Sequence, residues 1–129
     1  MANTESHTIL FRNTMRITEG HLTAFKKAIA QAIAFTGEHG PQLMVDVFID
    51  EERMLAHSFQ LYADTEAIRT HWKISDPYIR SVMEHCTVEY FEIFGDPEPD
   101  IVTAVSTPDG DPIKFTHSPR LTGFNRLTA

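Results

Sequence analysis

The sequence predicts an α+β fold of βαββαβ order, with two helices against one face of an antiparallel four-stranded sheet. Three observations predict it. Apolar residues alternate with polar ones in four short segments, they recur at three- and four-residue steps in two longer ones, and turn-forming residues separate the six.

From Thr8 to Ile17 the residues Ile9, Phe11, Met15 and Ile17 share one parity and Thr8, Arg12, Thr14 and Arg16 the other, the pattern of a half-buried strand. Thr18, Glu19 and Gly20 then offer a polar, acidic helix start. Leu22, Phe25, Ile29, Ala32, Ile33 and Thr36 follow at helical spacing until Gly37 and Gly40-Pro41. Leu43, Val45, Val47 and Ile49 alternate with Met44, Asp46 and Phe48. Asp50-Glu51-Glu52 turns the chain into another alternating run, Met54 to Tyr62, so these two strands form a hairpin. Asp64 is placed as an N-cap for a helix carrying Ala67, Ile68 and Trp72. Ser75-Asp76-Pro77 interrupts that helix, which predicts two pieces and a kink. The last strand of the unit, Thr87 to Phe94, is apolar on both parities and stops at Gly95-Asp96-Pro97.

Residues 1–95 thus form one ferredoxin-like unit, and 96–129 a C-terminal extension that holds five of the seven prolines. Ile101 to Ser106 and Ile113 to His117 suggest a hairpin there, or an arm that wraps a neighbouring subunit. The strands also carry a second apolar parity, with Met44, Phe48, Phe91 and Ile93 opposite Leu43, Val45, Val88 and Tyr90. A second sheet is the natural cover, so the sequence predicts a homodimer, the alternative being that the C-terminal extension folds back over that face.

Composition narrows the function. The chain has 129 residues and a net charge of −7, which disfavours nucleic-acid and anionic-membrane partners that require a basic surface. A lone cysteine, Cys86, and a start (Met1-Ala2-Asn3-Thr4-Glu5) without a basic or apolar leader predict a protein of the reducing cytoplasm. G-x-G-x-x-G, G-K-[ST] and the G-x-S-x-G elbow are all missing, which removes phosphate-cradling and α/β-hydrolase readings. The seven histidines form no H-x-H or H-x-x-x-H pair, so no metal and no cofactor is predicted. Cys86 reads as a small buried apolar residue.

Polar residues on apolar parities are the candidate site. Asn13 sits on the Phe11–Met15 parity of the first strand, and His57 on the Leu55, Phe59, Leu61 parity of the third. With strand order 4-1-3-2 the two strands are central neighbours, and the side chains are expected to meet between sheet and helices. An amide beside an imidazole that titrates near neutral pH suits proton abstraction from a substrate. His71 is a second candidate base, and Trp72, Tyr78 and Tyr90 are candidate walls for an aromatic ligand.

At this point the chain resembles the dimeric α+β-barrel superfamily and, within it, the antibiotic-biosynthesis-monooxygenase-like proteins. The resemblance rests on Asn13-Thr14-Met15-Arg16-Ile17-Thr18-Glu19-Gly20 and on Glu66-Ala67-Ile68-Arg69-Thr70-His71 with Ser75-Asp76-Pro77-Tyr78. It covers residues 8–95 and implies a homodimer with a pocket in each subunit. Implied first is a cofactor-independent monooxygenase acting on a small aromatic or quinol-like substrate. A non-catalytic, stress-responsive ligand-binding dimer is the alternative. Haem degradation ranks last, because the position at which that branch carries its axial His, ten residues after the Trp, is Val82 here.

Overall fold

The computed structural model describes residues 7–127, so the start at Met1 to Glu5, on which the expectation of a cytoplasmic protein partly rests, lies outside the described residues. The elements are β1 (Ile9–Ile17), α1 (Leu22–His39), β2 (Met44–Asp50), β3 (Leu55–Tyr62), α2 (Thr65–Met83), β4 (Cys86–Phe94), α3 (Pro99–Ser106) and β5 (Phe115–Ser118). One sheet has the order β2-β3-β1-β4-β5. Its first four strands are antiparallel in the expected ferredoxin-like order, and β5 adds a parallel strand beside β4. The sheet is therefore five-stranded and mixed, where an antiparallel four-stranded sheet was expected.

The local signals act where the sequence places them, with two differences. The Ala67 N–H donates to Asp64 Oδ1 at 2.9 Å, which satisfies one of the free amides of the first turn of α2. That helix is one element with Pro77 inside it, not two pieces. Proline there removes a single bond, to the Lys73 carbonyl, and packing on both sides of the position keeps the helix continuous. The acidic start expected for α1 lies outside it. His21 is its N-cap, with no side-chain bond, and its first turn carries no acid. At the end of β4, Gly95 has φ +122, and a Cβ would sit 3.1 Å from the Thr8 carbonyl oxygen. Only glycine permits that close crossing.

The extension is not a hairpin. Residues 101–106 belong to α3, which starts with Pro99 at its first turn and buries Ile101 and Val105, one helical turn apart. β-Branched residues favour strands only weakly, and burial of an i, i+4 pair overrides that preference. Arg69 on α2 ties α3 down: it donates to Glu98 at 2.9 Å and to both Asp100 oxygens at 2.9 and 3.1 Å.

Burial identifies which parity meets the helices. Ile9, Phe11, Met15 and Ile17 of β1 are buried, as are Ala56, Ser58 and Tyr62 of β3. On β4 a bulge makes Val88 partner Met15 and Tyr90 partner Thr14, with Glu89 as the extra residue. This explains why that strand looks apolar on both parities: the bulge moves Val88 onto the face of Phe91 and Ile93. The outer face carries Leu55, His57, Phe59 and Leu61 of β3, and Phe48 of β2 opposite His57. Phe48 remains 58% exposed. Two apolar clusters fill the helix side, one around Phe11, Tyr62, Ile68, Ile93 and Ile101, the other around Met15, Phe25, Ala28, Ala56 and Val82. Among the described residues no helix is long and apolar enough to cross a membrane.

Candidate functional site

Between these clusters the sheet turns polar. Asn13 lies between Phe11 and Met15 on β1, and its cross-strand partner on β3 is Ser58, followed on the same face by Gln60. A cavity of about 100 Å³ opens over them, roofed by α1 and α2 and lined further by Gln42 and His71, with Ile33 and Val82 among its apolar walls. Its location follows from packing: three consecutive polar side chains on the helix-facing side cannot join either cluster, so the helices span them without filling the space.

The floor is hydrogen-bonded along β3. Tyr62 donates its hydroxyl proton to Gln60 Oε1, and Gln60 Nε2 donates to Ser58 Oγ at 3.3 Å. Burial raises the Tyr62 phenol far above its ordinary range, so it stays protonated. His71 hangs from α2 over this floor, with Nδ1 3.0 Å from the Oγ of Ser75, one helical turn later and itself buried. Burial pushes the His71 imidazole down to about 4, so at neutral pH it is uncharged. In the tautomer whose Nδ1–H donates to Ser75 Oγ, the lone pair belongs to Nε2.

Of the six residues singled out from the sequence, Asn13 and His71 line this cavity together. The other four do not. His57 faces the opposite side of the sheet, where its Nδ1 lies 3.4 Å from Thr14 Oγ1, so it never meets Asn13. The expected meeting assumed that the more apolar parity of β3 faces the helices, whereas Ala56, Ser58, Gln60 and Tyr62 do. Tyr90 is also on the outer face, its hydroxyl 3.0 Å from Thr116 Oγ1. Trp72 packs against the Phe11–Ile101 cluster. Tyr78 stacks on Phe35 of α1 with ring centroids 4.4 Å apart, away from the cavity.

Sequence reasoning missed Gln42, Ser58, Gln60 and Ser75. The first comes from the loop before β2 and carries no periodic signal. Ser58 and Gln60 were hidden by the parity assignment, while Ser75, four residues after a candidate histidine, was legible as its hydrogen-bond partner. The buried Cys86 behaves as expected: burial raises its thiol to about 11, and Sγ lies 3.5 Å from the Val82 carbonyl oxygen.

Haem does not fit these residues. Val82, at the position where the resemblance implies an axial imidazole, contributes an aliphatic wall, and His85 has its Nδ1 3.0 Å from His21 Nδ1. Among the described residues no group of three or more His, Cys, Asp or Glu side chains is arranged to hold a metal ion.

The architecture, a sheet with helices packed on one face, is shared with solved structures at low sequence identity. MupZ from Pseudomonas fluorescens superposes with a TM-score of 0.75 at 17% identity, over 98% of this chain and 94% of that one. SnoaB, a cofactor-independent oxygenase from Streptomyces nogalater, matches 71% of this chain and 95% of its own at TM-score 0.60 and 15% identity. A Chloroflexus aurantiacus protein provisionally assigned as an antibiotic biosynthesis monooxygenase matches 67% of this chain and 89% of its own, at TM-score 0.57 and 11% identity. No protein-family model matches the sequence, and no curated protein is significantly similar to it.

Proposed function

We propose that the protein is a cofactor-independent monooxygenase that takes a small aromatic or quinol-like substrate into the cavity between sheet and helices. The observation that carries this reading is the convergence of an uncharged imidazole, His71, and an amide, Asn13, on one apolar-walled cavity. A substrate with an acidic phenol or enol gives its proton to His71 Nε2, while Asn13 hydrogen-bonds the resulting oxyanion. The anion raises the basicity of the imidazole beside it, offsetting the burial that lowers it in the empty cavity. The carbanion form then reduces dioxygen. A CH₂ group and O₂ become C=O and H₂O, so the substrate supplies all the electrons and one oxygen atom leaves as water. SnoaB, described as a cofactor-independent oxygenase, supports the reading through the shared fold.

The test is oxygen uptake with a panel of phenols, quinols and anthrone-like compounds. His71→Ala and Asn13→Ala each lower turnover by about 100-fold or more with the fold retained, the usual size of a general-base or oxyanion contribution. His57→Ala, on the outer face, leaves turnover unchanged. Full activity in both cavity variants refutes the assignment. The second reading, a ligand carrier without chemistry, draws support from the pKa of about 4 at His71, which makes it a weak base at neutral pH. That reading holds if ligands raise the melting temperature and no oxygen is consumed.

We also read the outer sheet face as a homodimer contact. Its Leu55, Phe59, Leu61 and Phe48 form an apolar surface that a second copy covers.

A further inference from the structure

Among the described residues, four buried side-chain atoms have no hydrogen-bond partner: Arg12 Nε, Asn13 Oδ1, Gln42 Nε2 and Gln42 Oε1. Folded proteins ordinarily satisfy such atoms, because each lost bond to water goes uncompensated. The arginine has compensation on the outer face, with Glu92 Oε1 at 3.6 Å and the Phe59 ring 5.5 Å from its guanidinium carbon. The other three belong to two amides that line one cavity. Gln42 lies close enough to the Tyr62 hydroxyl to favour the phenolate against burial, but the hydroxyl proton goes to Gln60, and by distance and angle neither Gln42 amide atom completes a hydrogen bond.

We infer that Gln42, with Asn13, reads an amide edge of the ligand: an N–H beside a C=O, as in a lactam or a primary carboxamide. A primary amide is complementary to another amide, its C=O accepting from the ligand N–H while its N–H donates to the ligand C=O. An ether has no donor and leaves the Gln42 oxygen unpaired, while a phenol must serve both Gln42 atoms from one oxygen, with bent geometry. A carboxylate is disfavoured, since no Lys or Arg lines the cavity and the chain is acidic overall. Asn13, on the floor, accepts a second N–H where the ligand has one. The inference rests on the reading that this cavity is the ligand site, and is independent of the oxygen chemistry.

The experiment compares δ-valerolactam with δ-valerolactone, which have nearly the same shape and differ by N–H against O. Calorimetric titration of the whole protein needs neither oxygen nor turnover. The wild type binds the lactam about tenfold tighter than the lactone, the effect of one lost hydrogen bond that leaves a buried acceptor facing a lone pair. Gln42→Leu narrows the preference to within about twofold, and Gln42→Met does the same should the branched side chain disturb the loop. Gln42→Leu melts no lower than the wild type, because it removes two unpaired atoms. Equal affinity for the two probes, no saturable binding of the lactam, or a preference that survives in both variants overturns the inference. Oxygen uptake with phenols and no lactam preference would leave the monooxygenase reading standing without this one. Lactam binding without any oxygen uptake would do the reverse.

Discussion

Lowering the pH should destabilise this protein through His71 in particular. Burial holds the imidazole at about 4, against 6.5 for an unperturbed histidine. The folded state therefore takes up its proton later than the unfolded state as pH falls. At pH 8 neither state is protonated at this position and it contributes no pH dependence. Between 6.5 and 4 the unfolded chain gains a proton that the folded chain refuses, so stability is lost over that window. At pH 5 the two titration curves give about 2 kcal/mol of lost stability, which partial solvent access to the ring reduces to about 1–2 kcal/mol. For a domain of this size that is about 4–7 °C in melting temperature. The assay is urea unfolding of the wild type and His71→Gln at pH 8 and pH 5. Every other group is common to the two proteins and cancels in the double difference. The wild type loses about 1–2 kcal/mol more than the variant between the two pH values. An equal loss in both refutes the argument that burial, and not some other group, sets the protonation of His71.

Other consequences are open to measurement. Ile101→Ala lowers stability by about 2–4 kcal/mol in urea, because the side chain is buried in the cluster around Phe11 and Tyr62 although it lies in the extension; a loss under about 1 kcal/mol would mean that α3 packs loosely. Arg69→Ala frees α3 from α2, so amide exchange rises in Pro99–Ser106 while β1 is unaffected, and high salt has the same effect on the wild type. Phe48→Asp places a charge on the exposed outer face and yields a monomer by sedimentation velocity, with the circular dichroism spectrum retained. A wild-type monomer, or a dimer indifferent to the substitution, rules out that face as the contact.

Much of the fold was legible in the chain. β1, the hairpin of β2 and β3, and the cap at Asp64 rest on local signals, periodicity, turn chemistry and a side chain that reaches its own backbone. The extension was not legible as helix and strand. Ile101 and Val105 favour a helix only because Ile68 and Phe11 stand ready to bury them, and β5 pairs with β4, far away in sequence. Of the site, Asn13 was found because it breaks an apolar parity whose direction the strand shows clearly, and His71 because it stands just before the Ser75-Asp76-Pro77 break expected in its helix.

The sequence by itself determined the order of the six elements from β1 to β4, their approximate limits and the presence of two apolar faces on the sheet, since each depends on residues within a few positions of one another. Only the tertiary structure decided which face meets the helices. On β3 the alternation Leu55, His57, Phe59, Leu61 is more apolar than Ala56, Ser58, Gln60, Tyr62, yet the second set points inward. A strand's period of two states that its faces differ, not which one is inside. That choice is made by register with β1, whose buried Ile9, Phe11, Met15 and Ile17 fix the inner face for the strands beside it. The same register separates His57 from Asn13 by the thickness of the sheet and brings Asn13, Ser58 and His71 to one cavity.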